Sequence, residues 1–212
     1  MIKQAKRPSV RNTSRKHASQ ALSPAEAFLF IERKAFVPSE FASLATSDIP
    51  LPLGGGRVML QPSVVRVLVE MLAPEPGQII LVIGAGSGYV PALLGAMVGE
   101  TGRVIAFEED RELAALAKEN LEKFSLLRQG VVELRAEDGF RSLTPHAPYH
   151  AILACGTLPE GSASSTDLLD ALSPGGRLIY PSGEWLCMAH KNAFGASRKQ
   201  TFKGFSFAPL KG

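Results

Sequence analysis

A short apolar strand that ends in alternating glycines constrains this chain more than any other feature. Residues 79–89 read IILVIGAGSGY, so a run of aliphatic side chains leads into Gly84, Gly86 and Gly88. Glycine lacks the Cβ atom that would block a sharp turn or a ligand held against the backbone. The helix expected after the turn points its unpaired N–H groups at such a ligand. The stretch therefore predicts a strand, a tight turn and a helix that bind a nucleotide cofactor.

The glycine spacing distinguishes two kinds of cofactor. A dinucleotide-binding turn reads G-x-G-x-x-G or G-x-G-x-x-A. Here Tyr89 occupies the last of those positions, and the third glycine comes two residues after Gly86. The pattern G-x-G-x-G after a strand is that of S-adenosylmethionine-dependent methyltransferases. We expect the turn, with Ala85 and Ser87 between its glycines, to bind S-adenosylmethionine; a glycine-rich turn without a ligand is the alternative.

Two acidic residues follow later strands. Glu108 ends the apolar run RVIAFE, twenty residues after Gly88. In a βαβ unit an acid at this point accepts hydrogen bonds from the ribose hydroxyls of an adenosine. Asp138 follows the next strand, where it would meet the adenine amino edge, although Asp-Gly is also an ordinary turn. We expect Glu109 and Asp110 to be helix N-terminal acids.

Length and composition favour a single globular domain over residues 23–212. The chain has 212 residues, of which 45% are apolar, enough for a sizeable core. No apolar run approaches the ~20 residues of a membrane helix, so no transmembrane segment is expected. Cys155 and Cys187 form no C-x-x-C pair, and the four histidines share no metal-ligand spacing. We expect no metal, reduced thiols and a cytoplasmic location.

The amino-terminal residues differ sharply in charge from the rest. Six of the 23 Lys and Arg residues, and none of the 20 Asp and Glu residues, lie within residues 1–25. Such a basic segment without apolar periodicity predicts a disordered, solvated tail over residues 1–22. Contact with nucleic acid or anionic lipid, or a transit peptide, remain alternatives. Apart from that option, no nucleic-acid partner is expected.

Residues 23–77 are expected to form N-terminal helices and a loop. Ser23 and the following proline start a helix, which the segment FVP at 36–38 ends. Two prolines and three glycines in residues 47–56 exclude regular structure there, and long ordered loops usually carry function. A helix is predicted from 62 to 73.

Apolar strands and amphipathic helices alternate over residues 78–212, the cofactor-binding part. Strands are predicted at 79–83, 103–107, 131–135, 149–154 and 176–181, with helices at 89–98, 110–124 and 165–172. The C-terminal section predicts an antiparallel pair around a turn at Gly195. This order is typical of an α/β fold with a mostly parallel sheet and helices on both faces.

Several segments together resemble the protein-L-isoaspartate O-methyltransferase family over residues 36–210. They are FVP at 36–38, DIPLPLGGGRVMLQP at 48–62, VIGAGSGY at 82–89, LSPGGRLIYPSG at 172–183 and FAPL at 207–210. The resemblance implies a Rossmann-like methyltransferase fold with a seven-stranded sheet whose final strand is inserted antiparallel. It also implies methyl transfer from S-adenosylmethionine to the free carboxylate of isoaspartyl residues in damaged proteins or peptides, without a catalytic triad or a metal.

The chain departs from the family pattern in its substrate loop. The family reads G-x-G-Q-T-I-S-x-P, whereas Val58 replaces the threonine and Leu60 the serine that lies nearest the accepting carboxylate. Arg57 offers a fork of donors that compensates for this loss; a solvated loop cation is the alternative. Thr157 is a possible substitute donor, or else caps a turn.

A second departure is Val82, where the family has an acid that fixes the glycine turn. Because the glycines and Glu108 persist, we expect cofactor binding to survive. Two further functions stay open: methylation of a different carboxylate or small acceptor, which the apolar Leu60 favours, and a non-catalytic scaffold that keeps the fold. The sequence does not indicate an oligomeric state.

Overall fold

In the part of the chain that the structure describes, nine strands form a small hairpin and a seven-stranded sheet. The bounds are β1 Leu51–Gly54, β2 Arg57–Met59, β3 Ile79–Ile83, β4 Arg103–Phe107, β5 Val132–Arg135, β6 Tyr149–Ala154, β7 Leu172–Ser182, β8 Trp185–Lys191 and β9 Ser197–Lys203. This computed structural model describes residues 21–143, 146–158 and 165–210. In the large sheet the order is β5-β4-β3-β6-β7-β8-β9, and β3 to β7 pair in parallel. The predicted α/β fold is confirmed.

Helices cover both faces of the sheet. They are α1 Pro24–Phe30, α2 Pro62–Leu72, α3 Tyr89–Val98, α4 Arg111–Lys123 and α5 Ser165–Asp170. Successive side chains of a strand point to opposite faces. Accordingly Ile80 and Val82 pack with buried residues of α1 to α4, whereas Leu81 and Ile83 pack in the second core cluster, which includes Leu168 of α5.

The first helix begins where the sequence predicts and ends earlier. Ser23 caps α1, and Glu26 completes a reciprocal capping box. The helix stops at Phe30, and a 3-10 turn over Arg33–Phe36 separates it from the FVP segment. Residues 1–20 of the predicted tail lie outside the described residues. Leu22 is buried, and its N–H donates to the Ala96 carbonyl at 2.8 Å.

The prediction that residues 47–56 exclude regular structure is wrong in part, because β1 and β2 pair there as an antiparallel hairpin. Proline is tolerated in an edge strand, and both strands of a two-stranded sheet are edges. Pro52 therefore lies opposite Val58 within the hairpin. The glycines at 54–56 have φ of 95, 56 and 75° and form the turn.

The last two strands form consecutive hairpins at one edge of the sheet. β8 pairs antiparallel with β7, and β9 pairs antiparallel with β8. The predicted closing pair is confirmed. The final strand is antiparallel, as the resemblance implies, but its expected insertion between other strands is wrong, because β9 forms the edge of the sheet. Short turns join these strands, so each must lie beside its predecessor.

The sequence predicts neither a transmembrane segment nor a metal site. None of the helices in the described ranges has the length and apolar character that a membrane span requires. Over the same part of the chain, no three His, Cys, Asp or Glu side chains lie close enough together to bind a metal ion.

Candidate functional site

The carboxyl ends of three parallel strands open into one cleft. The glycine turn follows β3, Glu108 follows β4 and Cys155 follows β6. Because these strands run parallel, the residues after them meet at one edge of the sheet, where α/β proteins bind ligands. The predicted site residues that line the cleft are Arg57, Leu60, Gly84, Ala85, Gly86, Ser87 and Glu108.

The glycine turn adopts a backbone shape that few other residues tolerate. Gly84, Gly86 and Gly88 have φ of 83, 57 and 92°. Gly88 faces away from the cleft: a Cβ there would lie 3.2 Å from the carbonyl oxygen of Ala117 in α4. Its role is close packing of α4 against the turn. Ser87 is 2% exposed, and its Oγ has no hydrogen-bond partner among the described residues.

Glu108 is buried and bonds to the turn. Its Oε2 accepts the Gly86 N–H at 2.7 Å, and its Oε1 accepts the Asp110 N–H at 3.1 Å. Burial raises the pKa of the Glu108 carboxyl, and the two N–H donors and Arg57 partly oppose that rise. The side chain of Val82 is fully buried and cannot accept a hydrogen bond. The carboxylate that bonds to the glycine turn is therefore that of Glu108 and not one at position 82.

The acids after Glu108 have different roles. Asp110 caps α4, where its Oδ1 accepts the N–H groups of Glu112 and Leu113 at 3.0 and 3.2 Å. Its predicted place at a helix N-terminus is confirmed. Glu109 instead faces the β1–β2 hairpin, where its Oε1 lies 2.8 Å from Arg57 Nη2.

A second, smaller cavity adjoins the cleft. Asp138 lines it together with Phe107, Gly139 and Phe140. Asp138 Oδ1 accepts the Phe140 N–H at 2.9 Å, and its Oδ2 lies 3.2 Å from Arg141 Nε.

Four residues line both cavities: Arg57, Gly84, Glu108 and Leu210. Leu210 lies over the first glycine of the turn, where a Cβ on Gly84 would be 2.6 Å from Leu210 Cδ2. The two cavities are therefore halves of one groove, and the Leu210 side chain lies between them.

Arg57 reaches into this groove from the hairpin. Its side chain is 13% exposed, which excludes a fully solvated loop cation. Besides the ion pair with Glu109, its Nη1 donates to the Pro209 carbonyl at 3.3 Å. The Arg57 Nε is buried and has no hydrogen-bond partner within the described part of the chain.

Of the other two residues predicted to lie near the methyl acceptor, Leu60 lines the cleft and Thr157 does not. Leu60 lines the cleft beside Val58, so the wall at the lost hydroxyls is apolar. Thr157 lines neither cavity. Its N–H donates to the Ala208 carbonyl at 2.9 Å, its carbonyl accepts the Leu210 N–H at 2.8 Å, and its hydroxyl lies 3.4 Å from the Phe207 carbonyl. Thr157 therefore holds the C-terminal segment 207–210 over the groove.

Several residues of the cleft wall were not predicted as site residues from the sequence, among them Tyr89, Cys155, Pro209 and Leu210. Burial and the charge of Glu108 raise the pKa of the Cys155 thiol to about 12, so the thiol is neutral and is not a nucleophile. Burial raises the pKa of Tyr89 to about 12 as well. Pro209 and Leu210 belong to the FAPL segment, and the family resemblance was the only signal for them.

A mostly parallel sheet with antiparallel C-terminal strands, a G-x-G-x-G turn after its first parallel strand and an acid after the next is typical of the Rossmann-like methyltransferase fold. A solved structure titled protein-L-isoaspartate O-methyltransferase superposes with a TM-score of 0.78 at 26% identity; the match covers 94% of this chain and 64% of that chain. A Plasmodium falciparum structure, titled a putative protein-L-isoaspartate O-methyltransferase in complex with S-adenosyl-L-homocysteine, has a TM-score of 0.76 at 19% identity and 95% coverage of both chains.

The sequence comparisons are more specific. The model of the protein-L-isoaspartate(D-aspartate) O-methyltransferase family matches residues 7–212. The protein-L-isoaspartate O-methyltransferase of Aeropyrum pernix is 40% identical over 191 residues, 88% of this chain and 72% of the relative. That of Methanopyrus kandleri is 38% identical over 192 residues, 89% and 83% of the two chains. The chain belongs to this family.

Proposed function

We propose that this protein transfers a methyl group from S-adenosylmethionine to the free carboxylate of isoaspartyl residues in damaged proteins or peptides. The observation that carries the proposal is the position of Arg57. Its guanidinium lines the same groove as the glycine turn and Glu108. A cation is thus held where an anionic acceptor would meet the cofactor.

Three parts of the groove suit three parts of the cofactor. We assign the ribose hydroxyls to Glu108 and the adenine amino edge to Asp138 in the smaller cavity. The backbone from Gly84 to Ser87 faces the remaining part of the ligand, together with the Ser87 hydroxyl, which has no partner among the described residues. S-adenosylmethionine supplies an electrophilic methyl group when bound.

Arg57 and the apolar hairpin wall would hold the acceptor. A carboxylate with a pKa near 4 is already ionised at neutral pH, so no general base is needed. The Arg57 guanidinium presents parallel N–H donors that match a carboxylate, while Val58 and Leu60 give the wall beside it an apolar surface. Positioning of this kind can lower the activation barrier by about 7–11 kcal/mol.

Arg57 must exchange partners during the reaction. Its Nη atoms contact Glu109 and the Pro209 carbonyl, so an incoming carboxylate competes with Glu109. The methyl ester formed next to a backbone amide then loses methanol when that nitrogen attacks the ester carbonyl. Hydrolysis of the resulting succinimide regenerates a normal aspartyl bond in part of the product, which amounts to protein repair.

A second candidate keeps the cofactor and changes the acceptor. The apolar side chains of Val58 and Leu60 replace two hydroxyls in the cleft wall, which favours a carboxylate on a more apolar molecule. The scaffold alternative has its support in Leu210, which lies over Gly84 and divides the groove.

A methyl-transfer assay separates these functions. We expect the purified protein to transfer label from S-adenosylmethionine to an isoaspartyl peptide and not to the same peptide with normal aspartate. Transfer only to a small apolar acid would favour the second candidate. Calorimetry without heat at millimolar S-adenosylhomocysteine would leave the scaffold function.

We also propose a cytoplasmic location. Cys155 and Cys187 are both free thiols, as is usual in a reducing compartment. A disulfide-linked form isolated from native cells would contradict this location. Isoaspartyl proteins are the partners that we propose, and nothing in the groove calls for nucleic acid.

A further inference from the structure

A buried asparagine lies behind the glycine turn, on the side away from the cofactor groove. Asn120 on α4 is 1% exposed. Its Nδ2 donates to the carbonyl oxygen of Ser87 at 2.9 Å. A buried amide without partners is costly, so this bond ties α4 to the turn.

A lysine fixes the orientation of that amide. Lys123 Nζ donates to Asn120 Oδ1 at 2.6 Å and to the Ala35 carbonyl at 2.9 Å. An ammonium group can only donate, so the amide oxygen must face Lys123 and the NH₂ group must face Ser87. The network therefore joins the N-terminal segment, α4 and the turn in one chain of hydrogen bonds.

The contact acts on the part of the turn that faces the ligand. Ser87 lines the cleft, and its buried Oγ has no partner among the described residues. The Ser87 carbonyl is held from behind by Asn120, and Gly88 packs directly against α4. The single N–H of this peptide, that of Gly88, donates to the Ala85 carbonyl at 2.9 Å. Rotation of the peptide would break that bond and displace the Ser87 backbone, and with it the Ser87 hydroxyl, from the cleft wall.

We propose that Asn120 is a positioning residue for the cofactor. It holds the peptide after Ser87 so that the Ser87 backbone and hydroxyl keep their place in the cleft wall beside S-adenosylmethionine, and Lys123 keeps the Asn120 amide in the required orientation. This inference rests on the proposed function, because it assumes that the groove binds that cofactor.

The Asn120→Asp variant tests the proposal sharply. The carboxylate has the size of the amide and keeps an acceptor for Lys123, yet it cannot donate to the Ser87 carbonyl. We expect the dissociation constant for S-adenosylhomocysteine to rise about tenfold, the loss expected for one buried hydrogen bond. The KM for an isoaspartyl peptide should not change. Asn192→Asp is the charge-matched control, because Asn192 uses only its Oδ1, toward the N–H groups of Phe194 and Ala196.

Lys123→Met is a second variant that tests the role of Asn120 if Asn120→Asp does not fold. It frees the Asn120 amide to rotate, so we expect weaker cofactor binding at an unchanged peptide KM. Lys118→Met, at an exposed position of the same helix, is its control. Amide hydrogen exchange of the ligand-free variants should quicken at residues 86–88.

The outcomes are distinguishable. A wild-type protein that binds no S-adenosylhomocysteine overturns the proposed function. A wild-type protein that binds it while Asn120→Asp and Lys123→Met bind equally well overturns only the role of Asn120. A lowered melting temperature with unchanged cofactor affinity does the same, because Asn120 would then be merely structural.

Discussion

Arg57 and Glu109 form an ion pair at 2.8 Å between groups that are 52 residues apart. The pair joins the β1–β2 hairpin to the segment that follows β4. Because Arg57 also donates to the Pro209 carbonyl, one side chain links the hairpin, the sheet edge and the C-terminal segment around the groove.

Replacing Arg57 should weaken acceptor binding more than cofactor binding. We expect Arg57→Ala to raise the KM for an isoaspartyl peptide about 10- to 100-fold, the effect of losing hydrogen bonds to a charged group. Arg57→Lys should recover part of the loss. Arg128→Ala, which removes an exposed ion pair with Glu122, is the control. Steady-state kinetics with labelled S-adenosylmethionine measure the effect, and an unchanged peptide KM in Arg57→Ala would refute the assignment.

The lost hydroxyl at position 60 should matter only when Arg57 is absent. In the wild-type background we expect Leu60→Ser to change kcat/KM by less than about threefold, which corresponds to the low end of the ~0.5–1.5 kcal/mol of one hydrogen bond. In the Arg57→Ala background the same serine should restore acceptor binding, because a donor then replaces the guanidinium. Equal effects in both backgrounds would mean that the two positions act independently.

Cofactor binding should depend on the protonation of Glu108. Burial raises the pKa of this carboxyl above its ordinary value of 4.5. As the pH falls through the raised pKa, the neutral carboxyl loses an acceptor for the ribose, so the affinity for S-adenosylhomocysteine should fall. Calorimetry across acid pH measures this. Glu108→Gln should bind weakly without that pH step, and a retained step would assign it to another group.

In the absence of ligand, the raised pKa of Glu108 has the opposite effect on stability: it makes the free energy of unfolding larger at low pH. The folded state takes up the Glu108 proton at higher pH than the unfolded chain does. This contribution to the free energy of unfolding is therefore fully present below the unfolded pKa and is lost as the pH rises through the folded pKa. Urea unfolding of wild type and Glu108→Gln should show the difference.

Gly84→Ala and Gly195→Ala form a matched pair. Their φ angles are 83 and 84°, but a Cβ on Gly84 would lie 2.6 Å from Leu210 Cδ2, while nothing lies within 4 Å of one on Gly195. Both variants should lose about 1–2 kcal/mol of unfolding free energy from backbone strain. Only Gly84→Ala should lose more and also weaken cofactor binding. Equal unfolding curves and cofactor affinities would contradict the close approach over Gly84.

The local parts of the fold and site could be predicted from the sequence. The run before Gly84 is apolar and β-branched, and Glu108 ends the next strand, so the βαβ rule brings them together. Asp110 likewise follows helix capping rules. The hairpin could not be predicted in this way, because β1 and β2 pair only with each other and edge strands tolerate the proline that argues against a central strand.

Contacts between distant segments could not be predicted in this way. The pairing of Thr157 with the C-terminal segment and of Arg57 with Glu109 depends on how whole elements pack. Asn120 lies in a helix whose apolar periodicity is clear, and nothing in that pattern shows that its amide faces Ser87. Such polar contacts depend on tertiary geometry, which no local pattern carries.

A crystal structure with excess S-adenosylhomocysteine and an isoaspartyl peptide tests the central claim most directly. We predict the ribose hydroxyls within hydrogen-bond distance of Glu108, the isoaspartyl carboxylate on the Arg57 guanidinium, and Leu210 displaced from Gly84. A groove still filled by Leu210 under these conditions, with Arg57 still paired to Glu109, would contradict it.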